Sequence, residues 1–182
     1  MLNLRCFEEF PVIQTPRLIL RQLQVADANA VFGMRSNGRI NEFIPRPNMQ
    51  TLKQAEELIG KVTENYNNKQ VIAWAGFNRE DELIGTCGFN SIEVQNRRAE
   101  IGGEMDIRFW GKRYAVEAVA AIVNYGLHEM QLHTIEAKVS PDNKSAIYLL
   151  EHLGFIKEAH YKDRGYFDNR FWDLAVYTKF AD

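Results

Sequence analysis

The spacing of apolar residues in the first third of the chain predicts a strand followed by two helices. Apolar and polar residues alternate in RLILRQL, which is the period of a half-buried strand. A helix is predicted for VADANAVFGMR, with Asp27 as its N-cap. The second helix is predicted to begin at Thr51, because Thr51 and Gln54 have the spacing of a capping box.

The rest of the chain continues this mixed order of strands and helices. Three runs of strand character between positions 71 and 105 are separated by polar turns and predict an antiparallel meander. The next helix has a core side predicted at Val116, Val119, Ala120, Val123 and Leu127. A strand at TIEAKV, a helix that Gly154 closes, and two aromatic-rich strands near FIKEAHY and FWDLAVYTKF follow. The fold class is therefore α+β, with helices between strands.

Length and composition predict a single domain over residues 1–182. A hydrophobic content of 46% is enough for a sizeable core, and no repeat or Gly/Ser-rich linker marks a boundary. The near balance of 22 basic and 24 acidic residues lacks the positive excess of a nucleic-acid-binding protein. Cys6 and Cys87 lie far apart without a CxxC pair or clustered histidines, so neither a disulfide scaffold nor a metal site is expected.

The chain also lacks the patterns of membrane or secreted proteins. Two glutamates interrupt MLNLRCFEEF where a signal peptide has an apolar core, and no apolar run approaches the ~18 residues of a membrane span. We therefore expect a cytoplasmic protein that binds neither membrane nor nucleic acid.

The turn in WGKRYA is the first candidate for a binding site. It precedes a predicted helix, whose first N–H groups and dipole attract anions. Gly111 and Ala115 add little bulk, while Arg108, Lys112 and Arg113 supply positive charge for phosphates. The alternative is that Gly111 only lets the chain turn and that the basic residues form a solvated surface. Neither GxxxxGK[ST] nor GxGxxG occurs, which disfavours ATP and NAD.

A second candidate lies in NKSAIYLLEHLGF, where Asn143 and Ser145 fall on the first turn of a predicted helix. The alternative is ordinary capping, with Asp142 or Asn143 beginning the helix and Gly154 ending it.

Five segments in order resemble the GNAT acetyltransferases, and in particular the branch that includes the ribosomal-protein N-terminal acetyltransferases of bacteria. They are TPRLILRQL, ELIGTCGF, AEIGG, WGKRYAVEA and NKSAIYLLEHLGF, between Thr15 and Phe155. The resemblance implies a central, mostly antiparallel twisted sheet flanked by helices, with a splayed pair of parallel strands that opens around acetyl-CoA. Here the pair would be RAEIGGEMDI and TIEAKV.

The resemblance also implies which residues bind acetyl-CoA. The backbone of Met105 to Ile107 would pair with the pantetheine arm, and the N–H groups of Gly111 to Ala115 would hold the pyrophosphate. The full predicted set is Met105, Asp106, Ile107, Trp110, Gly111, Lys112, Arg113, Tyr114, Ala115 and Asn143. Arg113 departs from the family, which has glycine there; a left-handed arginine would cost ~1 kcal/mol, although its side chain could bind a phosphate.

Direct transfer of the acetyl group needs a neutral amine and a proton for the leaving thiolate. Many GNAT enzymes donate that proton from a tyrosine five residues before the closing phenylalanine, where this chain has Leu150. Ser145, directly or through water, is the replacement we predict, and Tyr148 is a weaker candidate. Glu104 and then Glu100, at even spacing on one strand, are predicted bases; a solvent-facing or arginine-paired role is the alternative for each.

An acyl-cysteine on Cys87 is disfavoured, because IGTCGF is an apolar run without a nearby histidine. Acceptor recognition is expected in the loops NEFIPRPNMQ and YKDRGYFDNRFW, where aromatic residues with Glu42, Asp163 and Asp168 suit a cationic amine. Those aromatic residues would otherwise pack a core edge or a homodimer interface.

The predicted function is acetyl transfer from acetyl-CoA, without a metal, to a primary amine, foremost a protein N-terminal α-amine. An α-amine is about one-tenth neutral at pH 7, whereas a lysine is neutral about once in 2,500 molecules. Two alternatives stay open: a small-molecule amine acetyltransferase, and a non-catalytic acyl-CoA-binding module.

Overall fold

A computed structural model describes residues 2–181 and places eight strands in a single sheet. The strand order is β1-β2-β3-β4-β5-β6-β8-β7. The strands are β1 Ile13–Gln14, β2 Ile19–Gln22, β3 Ile72–Phe77, β4 Leu83–Glu93, β5 Arg98–Met105, β6 Thr134–Val139, β7 Ile156–Phe167 and β8 Arg170–Phe180. All neighbouring strands are antiparallel except β5 and β6, which are parallel. The predicted α+β fold, with its meander and its parallel pair, is confirmed.

Four α-helices cover the sheet: α1 Ala28–Arg35, α2 Leu52–Asn67, α3 Tyr114–Asn124 and α4 Lys144–His152. Short 3-10 turns occur at Arg5–Phe7, Val25–Asp27 and Ile107–Phe109, and a π-helical turn at Tyr125–Glu129 extends α3. Helices α1 and α2 pack on one face with the apolar side chains of β3 that point that way, such as Ala75. Helices α3 and α4 pack on the other face, where Ile122 and Leu150 meet the main core. The result is a sheet between two layers of helices.

Local sequence signals explain several helix ends. The Thr51 hydroxyl accepts a hydrogen bond from the Gln54 N–H at 3.4 Å, and the Gln54 side chain accepts one from the Thr51 N–H at 3.1 Å. This is the predicted capping box. Gly154 follows the last turn of α4 and terminates the helix: its φ of 79° is the left-handed conformation that glycine adopts without strain.

Two details of the sequence-based prediction are only partly confirmed. Asp27 occupies the predicted N-cap position of α1, but its side chain does not cap that helix: the carboxylate accepts hydrogen bonds from the Gln24 N–H and the Arg21 guanidinium, and so closes the 3-10 turn before α1. In α3 and its π-helical extension, the predicted Val123 is buried and the predicted Val119 and Leu127 pack against the core, as expected. The predicted Val116 and Ala120 are only partly buried, and Ile122, which was not predicted, is buried. Alanine, valine and isoleucine occur all around α3, so apolar spacing alone does not identify its buried face.

Candidate active site

The parallel strands β5 and β6 part at their carboxyl ends. Their pairing runs from Arg98 opposite Thr134 to Ile101 opposite Ala137. Strand β5 continues to Met105 beside β4, whereas β6 continues to Val139 beside β8. This gap, called the open strand end below, exposes one backbone edge of β5. Carboxyl ends of parallel strands where neighbours diverge are the places where α/β sheets bind ligands.

The chain leaves β5 through a short turn that two side chains stabilise. The Asp106 carboxylate accepts hydrogen bonds from the Arg108 N–H and guanidinium, so Arg108 is already paired. The Trp110 indole N–H donates to the Met105 carbonyl at 3.0 Å. Of the backbone groups predicted to pair with pantetheine, the Met105 carbonyl is therefore engaged, while the Ile107 N–H has no hydrogen-bond partner within residues 2–181.

The first turn of α3 presents a cluster of N–H groups, called the N–H cluster below. Within residues 2–181, none of the N–H groups from Gly111 to Val116 makes a hydrogen bond; the first that does is that of Glu117, to the Arg113 carbonyl. Gly111 and Arg113 have φ values of 75° and 62°, a left-handed geometry that turns successive N–H groups towards one concavity. Space beyond the Gly111 Cα is open.

This N–H cluster has the features of an anion site. The side chains of Lys112 and Arg113 are exposed beside it, and the helix dipole adds positive potential. A diphosphate fits this donor set, because it has several acceptor oxygens for several convergent N–H groups. The cluster follows directly from β5, so it lies at the open strand end.

A carboxylate that the sequence-based prediction missed holds the N–H cluster in place. The Glu117 carboxylate accepts hydrogen bonds from the Thr15 hydroxyl at 2.6 Å, the Arg17 N–H at 2.8 Å and the Arg17 Nε at 2.6 Å. Arg17 also donates to the Lys112 carbonyl at 3.0 Å. Two sequence signals for this contact were available, the acidic residue in the first turn of α3 and the TPRL segment. They lie about a hundred residues apart, so no local pattern joins them.

Glu104 lies at the open strand end on the opposite face from the core of α3. Its side chain is only 3% exposed and pairs with Arg35 at 2.5 Å and with Arg46. The Thr86 hydroxyl on the adjacent strand is 3.5 Å away. The carboxylate therefore has the arginine-paired surroundings of the alternative considered for it, and its role as a base stays a prediction.

The other candidate base, Glu100, is also paired. Its carboxylate lies 2.5 Å from the Lys138 ammonium on β6. It belongs to a surface ladder of charges with Arg98 and Glu136, whose side chains are 3.0 Å apart. As with Glu104, no free carboxylate is found at this position, and catalysis by Glu100 stays a prediction.

The start of α4 lies at the same end of the sheet, because it follows the carboxyl end of β6. The Asn143 side chain accepts a hydrogen bond from the Ala146 N–H at 3.0 Å and thereby caps α4. Ser145, in the first turn, is exposed. Leu150 is buried in the core, and Tyr148 is exposed and stacks on His152. Ser145 is thus the accessible hydroxyl nearest the beginning of this helix.

Both cysteines are chemically quiet. Burial raises the pKa of Cys87 to about 12 and that of Cys6 to about 11. At neutral pH neither thiol ionises appreciably, and the thiolate is the nucleophilic form. Among residues 2–181, no group of three or more His, Cys, Asp or Glu side chains could hold a metal ion, and no helix is long and apolar enough to span a membrane.

A cavity of about 660 Å³ lies elsewhere, between α3, its π-helical extension and the end of β8. Its lining includes Arg97, His128 and Lys179. These residues flank the amino end of β6, opposite the open strand end. The volume of this cavity therefore does not identify it as the reaction site.

Comparisons with known proteins agree with this geometry. The family profile described as Acetyltransferase (GNAT) domain matches residues 17–156. YoaA of Bacillus subtilis (strain 168), described as an uncharacterized N-acetyltransferase, is 37% identical over 171 residues, which is 93% of this chain and 96% of YoaA. A GNAT-family acetyltransferase structure from Bacillus anthracis superposes with a TM-score of 0.83 at 26% identity, covering 93% of this chain and 98% of that one.

Other relatives carry names that state an acceptor. The ribosomal-protein-serine acetyltransferase of Escherichia coli (strain K12) is 30% identical over 57% of this chain and 58% of its own. The spermidine N(1)-acetyltransferase of Vibrio cholerae is 25% identical over 87% of this chain and 90% of its own. The structure of RimL, a ribosomal L7/L12 α-N-protein acetyltransferase in complex with coenzyme A, has a TM-score of 0.88 at 18% identity, covering 94% and 99% of the two chains.

Proposed function

The chain belongs to the GNAT family and is an acetyl-CoA-dependent N-acetyltransferase, and we propose that its acceptor is the α-amine at the N-terminus of a peptide or protein. The observation that carries this proposal is the pairing of both candidate bases: Glu104 contacts two arginines and Glu100 contacts a lysine. Carboxylates that are already paired with arginine or lysine offer little attraction to the ammonium groups of a polycation. An α-amine needs less help than a lysine or polyamine, because about one-tenth of it is neutral at pH 7.

In this proposal the N–H cluster binds the diphosphate of acetyl-CoA, with Lys112 and Arg113 adding positive charge. The exposed edge of β5 lines the path of the pantetheine arm. This arrangement holds the thioester at the open strand end, so that an amine arriving from the face of α1 and α2 attacks it directly. Holding both reactants in one site supplies much of the rate acceleration, without a covalent enzyme intermediate.

As the nitrogen–acetyl bond forms and the carbon–sulfur bond breaks, the leaving thiolate requires a proton and the attacking nitrogen must lose one. We assign the donation to Ser145, directly or through an ordered water, with Ser145 regaining the proton that the nitrogen releases. Ser145 is exposed in the first turn of α4, at the carboxyl end of β6. The usual tyrosine position holds Leu150, which is buried and has no proton to give. In this proposal Glu104 acts on the acceptor indirectly, because its carboxylate holds Arg35 and Arg46 in position.

A small amine is the second candidate acceptor. Its support is the similarity to the Vibrio cholerae spermidine N(1)-acetyltransferase, which extends over most of both chains. A polyamine site needs unpaired carboxylates, and the available acids are exposed: Glu42 in the loop after α1, and Asp163 and Asp168 near the turn between β7 and β8. A cytoplasmic location and a homodimer also stay predictions.

Release of the CoA thiol separates these candidates. The assay compares a peptide with a free N-terminus, the same peptide with its N-terminus blocked, and spermidine. We expect kcat/KM for the free peptide to exceed those of the other two acceptors by at least about tenfold, since it alone offers a weakly basic α-amine. Faster turnover of spermidine than of the peptides would support the small-amine candidate instead.

A further inference from the structure

We propose that Arg35 and Arg46 bind a negatively charged side chain close to the acceptor amine, so that the enzyme selects acidic peptide N-termini. This inference rests on the proposed peptide acceptor and specifies which peptides are acetylated. Together with Glu104, the two arginines are called the arginine cluster below.

The arginine cluster carries an uncompensated positive charge. Two guanidinium groups share the single carboxylate of Glu104, which is almost completely buried. Arg35 and Arg46 are only 23% and 22% exposed, so water screens them incompletely. Burial lowers the pKa of Arg35; the charge of Glu104 opposes this effect, and the charge of Arg46 adds to it. A second anion would relieve this repulsion between the arginines.

The cluster also has unused donors. Arg35 bonds Glu104 through Nε, and within residues 2–181 its two terminal nitrogens make no hydrogen bond. Arg46 bonds through Nε and Nη2, which leaves its Nη1 without a partner in the same part of the chain. Guanidinium groups with free terminal nitrogens bind carboxylates with two parallel hydrogen bonds.

The donors are held in position rather than free to move. The Asn41 side-chain oxygen accepts hydrogen bonds from Arg46 at 2.9 and 2.6 Å. The Asn41 amide donates to the Arg35 carbonyl at 3.0 Å and to Asn48 at 2.6 Å. Asn41 is itself buried, so the loop after α1 fixes the Arg46 guanidinium before a ligand arrives, while the Arg35 guanidinium is held by its bond to Glu104. Such preorganisation lowers the entropic cost of binding.

The cluster lies where an acceptor would enter. Side chains alternate along β5, and Ile101 packs into the core beneath α3, so Glu104 points to the opposite face. Glu104 immediately precedes Met105, the last residue of the exposed strand edge. Arg39, from the same loop as Arg46, lies 5.9 Å from the ring of Trp110, which contacts Met105. Three arginines therefore lie on the acceptor side of the open strand end, and the loop that carries two of them also carries one exposed acid, Glu42.

The chemical class that suits this cluster is a carboxylate on a peptide with a free α-amine. An aspartate or glutamate among the first residues supplies a flat, bidentate anion, whereas a polyamine or a basic peptide meets only repulsion.

The test uses three peptides that differ only at their second and third residues, which are Asp, Asn or Lys. For the unaltered enzyme we expect kcat/KM for the Asp peptide to exceed that for the Lys peptide by at least about tenfold, chiefly through KM, as a charge-assisted hydrogen bond provides. The ratio should fall with added salt, because the arginines are partly exposed.

Arg35→Gln should reduce the Asp-to-Lys ratio of kcat/KM to nearly one. Arg35→Lys keeps the charge but lacks the bidentate fork, so it should give an intermediate ratio. Arg5→Gln removes the same charge from an exposed site remote from the cluster and should leave the ratio unchanged. Thermal unfolding and acetyl-CoA calorimetry on each variant distinguish lost recognition from lost structure. If Arg35→Gln does not fold, the ratio measured for Arg35→Lys and the salt dependence of the unaltered enzyme still test whether the arginine cluster selects acidic peptides.

Equal kcat/KM for the three peptides would overturn this inference while leaving peptide acetylation intact. Retention of the preference by folded Arg35→Gln would also overturn it. No turnover of any peptide, with turnover of spermidine, would overturn the proposed function itself.

Discussion

At the residue scale, Arg113 combines a backbone cost with a charge that favours anions. Its φ of 62° is strained for an arginine by about 1–2 kcal/mol. Arg113→Ala and Arg113→Gly remove the same cation, so both should weaken acetyl-CoA binding severalfold in calorimetry. Only glycine relieves the strain, so we expect Arg113→Gly to exceed Arg113→Ala in free energy of unfolding by up to about 1 kcal/mol in urea titrations. A glycine variant less stable than the alanine variant would contradict the strain argument.

Ser145 is predicted to act on the leaving group and not on cofactor affinity. Ser145→Ala should lower kcat by about a hundredfold or more, because general acid catalysis typically contributes about 10²–10⁴-fold. The acetyl-CoA Kd should stay within about twofold. Ser91→Ala, at an exposed serine on β4, is the matched control. An unchanged kcat in Ser145→Ala would remove Ser145 from the mechanism.

Cys87 is predicted to have no chemical role. Burial raises the pKa of its thiol to about 12, so it remains protonated under assay conditions. Cys87→Ala should retain kcat within about twofold, with Cys6→Ala as the companion variant. Intact-protein mass spectrometry after mixing with acetyl-CoA should find no acetylated enzyme; an acetyl group trapped on Cys87 would reveal a covalent route.

At the element scale, the first turn of α3 depends on the segment before β2. Glu117 joins them through Thr15 and Arg17. Glu117→Gln should lower the free energy of unfolding by about 1–2 kcal/mol and raise the acetyl-CoA Kd, because hydrogen bonds to a charged acceptor weaken. Glu56→Gln, on the exposed side of α2, serves as the control for both measurements. A Glu117→Gln variant that is as stable as the control and binds acetyl-CoA as tightly would show that the hydrogen bonds of Glu117 to Thr15 and Arg17 are dispensable.

The same carboxylate predicts a pH dependence. Burial alone would raise the pKa of Glu117, but the hydrogen bonds from Thr15 and Arg17 outweigh burial and hold it below the ordinary 4.5. A pKa depressed by folding stabilises the protein fully above the unfolded-state pKa, and this contribution is lost as pH falls through the folded-state value. The stability difference between the unaltered chain and Glu117→Gln should therefore be constant from neutral pH to about pH 5 and shrink below it. Urea titrations across this range measure it, and a difference that grows at low pH would contradict the assignment.

Sequence alone predicted these elements well where the signals are local. The capping box of Thr51 and the terminal Gly154 concern neighbouring residues, and both were found as expected. The buried face of α3 was assigned partly wrongly, because its apolar residues surround the helix. Asp27 has the predicted N-cap position of α1, but its side chain does not cap that helix because it binds Arg21 on the preceding strand.

At the scale of the whole molecule, the order of the five motifs predicted the sheet and its parallel pair. The structure adds contacts between residues far apart in sequence, which no local pattern contains. Glu104 meets Arg46 and Arg35 across 58 and 69 positions, and Glu117 meets Thr15 across 102. Because of these contacts, the candidate base Glu104 holds two arginines, and Glu117 holds the N–H cluster in place. The sequence thus located the open strand end, while the charge surrounding it emerged only from the fold.

The most direct test of the account is to locate the transferred acetyl group. A peptide with a free N-terminus, an acidic second residue and an internal lysine is incubated with acetyl-CoA and the enzyme, then fragmented in a mass spectrometer. We predict acetylation of the α-amine alone, at a rate that matches release of the CoA thiol. Acetylation of the lysine side chain, or no acetylation of this peptide by an enzyme that acetylates spermidine, would contradict the account.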